Sequence, residues 1–211
     1  MNAMVKPMVA DSTPATGLEP AGYEVSIART LNDLMQVIAV RTLVYMGEQE
    51  CPYDEEYDGN DFAGATHMLL RFKGEPIGVL RMRWFADFAK FERVAVIKGH
   101  RGGRSSLALI RAAIELAERK GYRRILGHAE PRLVAYWARR LNAHIRKGRP
   151  SFTFSDREYV EIVTDVTPGP DALSLDSDPL VLLRPEGDWD RPGVLDRSAA
   201  RGRVNAMERP A

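Results

Sequence analysis

Hydrophobic and polar positions along the 211-residue chain change period several times, and each change predicts an element. Residues 23–28 (YEVSIA) alternate as a strand does, and residues 30–45 then bring Leu31, Leu34, Met35, Ile38 and Tyr45 near helical spacing. Thr30 or Asn32 can cap that helix. Residues 66–72 (THMLLRF) read as a strand, Lys73-Gly74-Glu75-Pro76 as a turn, and 77–85 as the hairpin partner. A further strand covers 90–97. The clearest amphipathic helix spans 105–120, with Leu107, Ile110, Ala113, Ile114 and Ala117 on one side and Gly121 ending it. A strand at 124–128 follows, Pro131 opens a helix to about Leu141, and 143–146 and 158–166 alternate again. The predicted order is βαβββαβαββ, an α/β (α+β) domain over 23–166. Residues 1–22 and the Pro/Gly/Asp-rich 167–211 are expected as tails, with 180–183 (LVLL) as a short edge strand or docked segment.

Composition narrows the function classes. The chain lacks a signal-peptide-like start and any run of about 18 apolar residues, so a cytoplasmic location without a membrane span is expected. With Cys51 alone and with His67, His100, His128 and His144 lacking close ligand spacing, neither a disulfide nor a metal is expected. The net charge of +1 conceals an asymmetry. Positions 45–61 hold seven acids and no base, which should attract cations, whereas 99–150 hold thirteen Lys and Arg against three acids, which should attract phosphates or an acidic partner.

The most informative stretch is 92–109 (ERVAVIKGHRGGRSSLAL), a strand running through a basic, Gly-rich loop into a helix start. Unpaired N–H groups and the positive helix end converge there, Gly102 and Gly103 allow close backbone approach, and Arg101 and Arg104 add charge, so a pyrophosphate would fit. The plainer alternative is a tight turn. The phosphate-loop and dinucleotide fingerprints are absent.

These residues resemble the GNAT superfamily of acyltransferases, in which a strand Val precedes Arg-Gly as Val96 precedes Arg101-Gly102 here. The resemblance covers about 23–166 and implies a central mixed, mostly antiparallel sheet flanked by helices. It implies a fourth strand splayed from the fifth, with Val94 and Val96 backbone groups binding pantetheine and the thioester near Glu92. Arg101, Gly102, Gly103, Arg104, Ser105 and Ser106 would hold the phosphates. The family's R-G-x-G-x-[GA] is altered here to Arg-Gly-Gly-Arg-Ser-Ser, and Trp137-Ala138 stand where Phe-Tyr is usual, with Tyr136 expected to point elsewhere. The spacing of Arg41, Tyr45, Asp58, Asp61, Arg81 and Glu92 is similar to that of autoinducer synthases and N-acyl amino acid synthases. That subgroup usually has Arg three residues after the Glu, whereas here Arg93 is adjacent and position 95 is Ala.

The expected chemistry is N-acyl transfer from a pantetheine thioester to a small amino acid-like amine, with Glu92 as general base. Asp58 and Asp61 would hold an ammonium or organise the substrate lobe through Arg41 and Arg81, and a backbone N–H near Val94 or Val96 would stabilise the oxyanion. Cys51, among acids, is a poor nucleophile. No cofactor is expected to be permanently bound; acyl-CoA and the acyl-phosphopantetheine of acyl carrier protein both stay open as donor, and a homodimer is also open. Rival readings are an acetyl-CoA-dependent N-acetyltransferase, an inactive GNAT-like binding domain, and a nucleic-acid module, the last opposed by the near-neutral net charge.

Overall fold

A computed structural model describes residues 22–102 and 105–201. The N-terminal segment expected as a tail, Gly22 apart, and the site candidates Gly103 and Arg104 lie outside the described residues. In chain order the elements are β1 (Tyr23–Ile27), α1 (Leu31–Arg41), a π-helical continuation (Thr42–Glu48), α2 (Tyr53–Glu56), β2 (Thr66–Phe72), β3 (Glu75–Trp84) and β4 (Ala89–Val96). Then come a 3-10 turn (Lys98–His100), α3 (Ser105–Arg119), β5 (Arg124–Ala129), a second 3-10 turn (Pro131–Leu133), α4 (Val134–Leu141), β6 (His144–Ile145), β7 (Phe152–Phe154), β8 (Arg157–Asp165), α5 (Pro179–Leu182) and α6 (Val194–Ala200). Every element of the predicted order is present. The short α2, β7, α5 and α6 are additions, and residues 180–183 lie on a helical turn rather than a strand.

Local chemistry explains the boundaries. Thr30 caps α1, accepting from the Asp33 N–H at 3.1 Å while Asp33 accepts from Thr30 N–H, a reciprocal box. Past Arg41 the helix widens where the Thr42 hydroxyl donates to Ile38 O at 2.8 Å. Asn142, with φ of 52°, supplies the left-handed residue that ends α4.

The strands run in the order β1-β2-β3-β4-β5-β8-β6, with β7 paired to β8 off that path. Pairing is antiparallel except between β4 and β5, which are parallel. One face packs on α3 through Leu70, Leu80, Met82, Leu109, Ile110 and Ala113; the other packs on α1 through Val37, Val40, Val44, Leu69, Val79 and Ala95. Both faces of β2 and β3 are therefore covered, which is why Thr66 to Leu70 are all buried in succession. The segment after residue 166 packs back on the α3 side: Trp189 is buried in that core, Arg119 pairs with Asp171 and Asp190, and Lys120 pairs with Glu186 at 2.8 Å. Among the described residues no helix is long and apolar enough to cross a membrane.

Candidate active site

Strand β4 leaves β5 after three rungs, Ala89↔Ile125, Lys90↔Leu126 and Phe91↔Gly127. The cause is local. Register with β3 passes from Arg81↔Glu92 to Val79↔Ala95, so β4 carries one extra residue, and Arg93 sits at φ of 49°. A left-handed non-glycine residue costs about 1–2 kcal/mol and bends the strand. The bulge also reverses the inside-outside phase, sending Phe91 and Val94 toward the α3 side but Ala95 into the α1 cluster. A cleft opens between the diverging strands, lined by Phe91, Val94, Gly127, Trp137, Leu141 and Ile162 among others. Trp137, which stands in place of the Phe of the Phe-Tyr usual in the family, thus forms part of the cleft wall.

On the α1 side of this opening the expected constellation assembles. Arg41 donates to Glu56 at 2.5 Å and to Asp61 at 2.5 Å. Arg81 reaches Asp58 at 2.7 Å, Asp61 at 2.9 Å and Glu92 at 2.7 Å. Both guanidinium groups are 1% exposed, so these are desolvated, hydrogen-bonded charges and not a solvated face. Tyr45 joins from the π-helical turn, its hydroxyl donating to Val94 O at 2.9 Å; burial, then the Glu56 charge, push its phenol pKa upward. Burial raises the carboxyls of Asp58 and Asp61, but hydrogen bonds from Arg81 to the first and from Arg41 to the second outweigh it and hold both below the usual range.

Sequence reasoning missed three members. Glu56 is fully buried, and its burial outweighs Arg41 and Arg93, raising its pKa. Arg93 binds Glu56 at 2.9 Å and Asp58 at 3.2 Å. The bulge and its left-handed backbone bring this residue, adjacent to Glu92, into the same network. Lys90 binds Glu92 at 2.6 Å, as the two-residue spacing on one strand face could have indicated. Glu92 has one carboxylate oxygen on Lys90 and the other on Arg81; against burial, these two partners hold its pKa below 4.5. The acidic stretch at 45–61, expected to attract cations, is largely engaged by the chain's own groups: Glu48 with Arg101, Glu55 with Ser155, and Glu56, Asp58 and Asp61 with arginines.

The loop into α3 differs in detail from expectation. Arg101 turns away from the helix start to bind Glu48 and Val96 O, each at 2.6 Å. Of the Val94 and Val96 backbone groups, expected to bind pantetheine, the two carbonyls each accept a side-chain donor within the chain. Ser105 is buried and donates to His100 O at 2.6 Å, closing the loop. Gly102 has φ of 78°, the left-handed region that favours glycine. Ser106 meets the Tyr136 hydroxyl at 3.0 Å, so Tyr136, expected to point elsewhere, points to the first turn of α3.

With this geometry the comparisons agree. Over 94 residues, 42% of this chain and 66% of the relative, the chain is 33% identical to the uncharacterized N-acetyltransferase YjcF of Bacillus subtilis (strain 168). The structure of an acyl-CoA N-acyltransferase from Pseudomonas aeruginosa superposes with a TM-score of 0.61 at 23% identity, covering 67% of this chain and 99% of that one. FeeM, an N-acyl amino acid synthase from uncultured soil microbes, shares the fold with a TM-score of 0.59 at 10% identity, covering 68% and 90%. Residues 33–141 match the acetyltransferase (GNAT) family, and the chain belongs to it.

Proposed function

We propose that this acyltransferase moves an acyl group from a pantetheine thioester, carried by CoA or by acyl carrier protein, directly to the amine of a small amino acid-like acceptor in the cytoplasm. The observation that carries this reading is the splay of β4 from β5 beside an ionic cluster built on the buried Arg81. The cleft suits pantetheine and an acyl chain, the N–H groups opening α3 suit phosphate, and the ionic side suits an acceptor bearing both ammonium and carboxylate. Glu92, expected as the general base, has both carboxylate oxygens in ion pairs and is assigned instead the role of fixed negative charge beside the cleft, and the Tyr136 hydroxyl, held by Ser106, supplies a proton to the leaving thiolate.

The test is a grid of donors against acceptors. Acetyl-CoA, octanoyl-CoA and octanoyl-acyl carrier protein are each mixed with pooled amino acids, and thiol release and N-acyl products are measured. N-acyl amino acids from the octanoyl donors support the reading. Turnover of acetyl-CoA alone favours the second reading, acetyl-CoA-dependent N-acetylation, which the name of YjcF supports. Binding of CoA without turnover of any pair favours an inactive binding domain.

A further inference from the structure

His128 and Glu92 occupy the first positions beyond the last β4–β5 rung, Phe91↔Gly127. Alternation along β5 sends Ile125 and Ala129 into the α3-side core, so His128 faces the opposite, ionic side with Glu92. The imidazole is half-buried and borders the cleft. It lies edge-on to Phe152 with ring centroids 4.8 Å apart, and Phe152 and Phe154 both stack on Tyr159, at 6.2 Å and 4.0 Å. The β7–β8 hairpin therefore fixes the ring and walls the acceptor side. That wall is tied across the opening, since Ser155 at the hairpin tip contacts Cys51 Sγ at 3.4 Å and donates to Glu55.

The two groups at the apex differ in availability. Both oxygens of Glu92 carry ion pairs, whereas neither ring nitrogen of His128 is hydrogen-bonded to another described residue. The charged groups facing His128 are Lys90 and Glu92 from β4 and Glu161 from β8; β7 presents only the Phe152 ring and α4 the Trp137 indole. Burial first, then the Lys90 charge, lower its pKa from 6.5, which favours the neutral, proton-accepting ring.

Resting on the acyl-transfer reading above, we propose that His128 is the group that takes protons from the attacking amine. Of the three N–H protons of an arriving ammonium, one stays on the amide, one converts the departing thiolate to a thiol, and one leaves to solvent. The imidazole carries protons off the nitrogen as its lone pair forms the C–N bond and the C–S bond breaks.

The experiment measures kcat/KM against pH for the wild type, His128→Gln, His128→Ala and Glu92→Gln, with octanoyl-CoA or acetyl-CoA and the amino acid that gives the most product. Thermal melts and CoA binding report folding. The wild-type rate is expected to rise with pH through a midpoint below 6.5 and then level. His128→Gln is expected to lose that limb and about 100-fold in kcat/KM with CoA binding intact, and added imidazole to restore part of the rate of His128→Ala. Glu92→Gln is expected to keep the limb. An active wild type with His128→Gln within about threefold of it, or with the limb retained in that variant, overturns the assignment to His128 alone. A wild-type profile flat from pH 5 to 8 does the same without any substitution. A wild type that releases thiol with no donor–acceptor pair overturns the acyl-transfer reading and this inference with it.

Discussion

Strands β3 and β4 carry two opposite kinds of interior. Toward α3 they bury Leu80, Met82, Ala89 and Phe91 against Leu109 and Ile110; toward α1, Arg81 is buried with Arg41 and Glu56, and partly exposed Glu92, Asp58 and Asp61 close the ionic cluster around them. The first interior stabilises by removing apolar area from water, at roughly 25 cal/mol per Å2. The second gains little net stability, because desolvating each ion offsets most of the attraction between them. What it provides is fixed charge beside the one place where the sheet opens. The apolar side supports the fold, and the ionic side is where the proposed reading puts the acceptor.

Breaking each side separately should show this division. The largest effect is expected for Arg81→Leu, which leaves Asp58, Asp61 and Glu92 without their shared partner: a loss of about 3–5 kcal/mol in urea unfolding, with activity abolished. Leu109→Ala on the other side should cost about 2–4 kcal/mol by leaving a cavity, yet keep kcat/KM per folded molecule within about threefold. A Leu109→Ala protein that melts normally but has lost activity would contradict the division.

Acid titration sharpens the same contrast. Asp58, Asp61 and Glu92 have folded pKa values below their ordinary 3.8, 3.8 and 4.5, so their contribution is complete above those values and is lost as pH falls through the folded ones. Glu56 runs the other way, its raised pKa favouring the protonated form in the folded state. With three groups against one, the urea midpoint should fall below about pH 4.5, and Arg81→Leu should flatten that fall. An equal fall in both proteins would remove the network from the cause. The smallest effect belongs to the donor side: Ser106→Ala removes one hydrogen bond to Tyr136, worth about 0.5–1.5 kcal/mol, and should lower kcat at most about tenfold. Tyr136→Phe should lower it at least as much, and a silent Tyr136→Phe would exclude its hydroxyl from the reaction.

Much of the site was legible because its spacings are local or strand-periodic. Arg41 and Tyr45 lie four apart on a helix that continues as a π turn, and Arg81 and Glu92 are cross-strand partners. Lys90 was readable by the same two-residue rule. Arg93 was not, because alternation assigns it to the opposite face and only its left-handed backbone turns it inward. Glu56 looked like one surface acid among seven, and its burial depends on how α2 folds against Arg41.

The amino-acid order alone determined the succession of the main strands and helices, a cap for α1 at Thr30 or Asn32, the glycine-bearing loop before α3 and the identity of the charged residues, since each depends on neighbours within a few positions. Tertiary structure decided which charges meet, where β4 leaves β5, that Trp189 returns to the core, and that His128 faces Glu92 across the opening. Those outcomes depend on register and burial between segments far apart in the chain, where one extra residue in a strand reverses which side every later side chain faces.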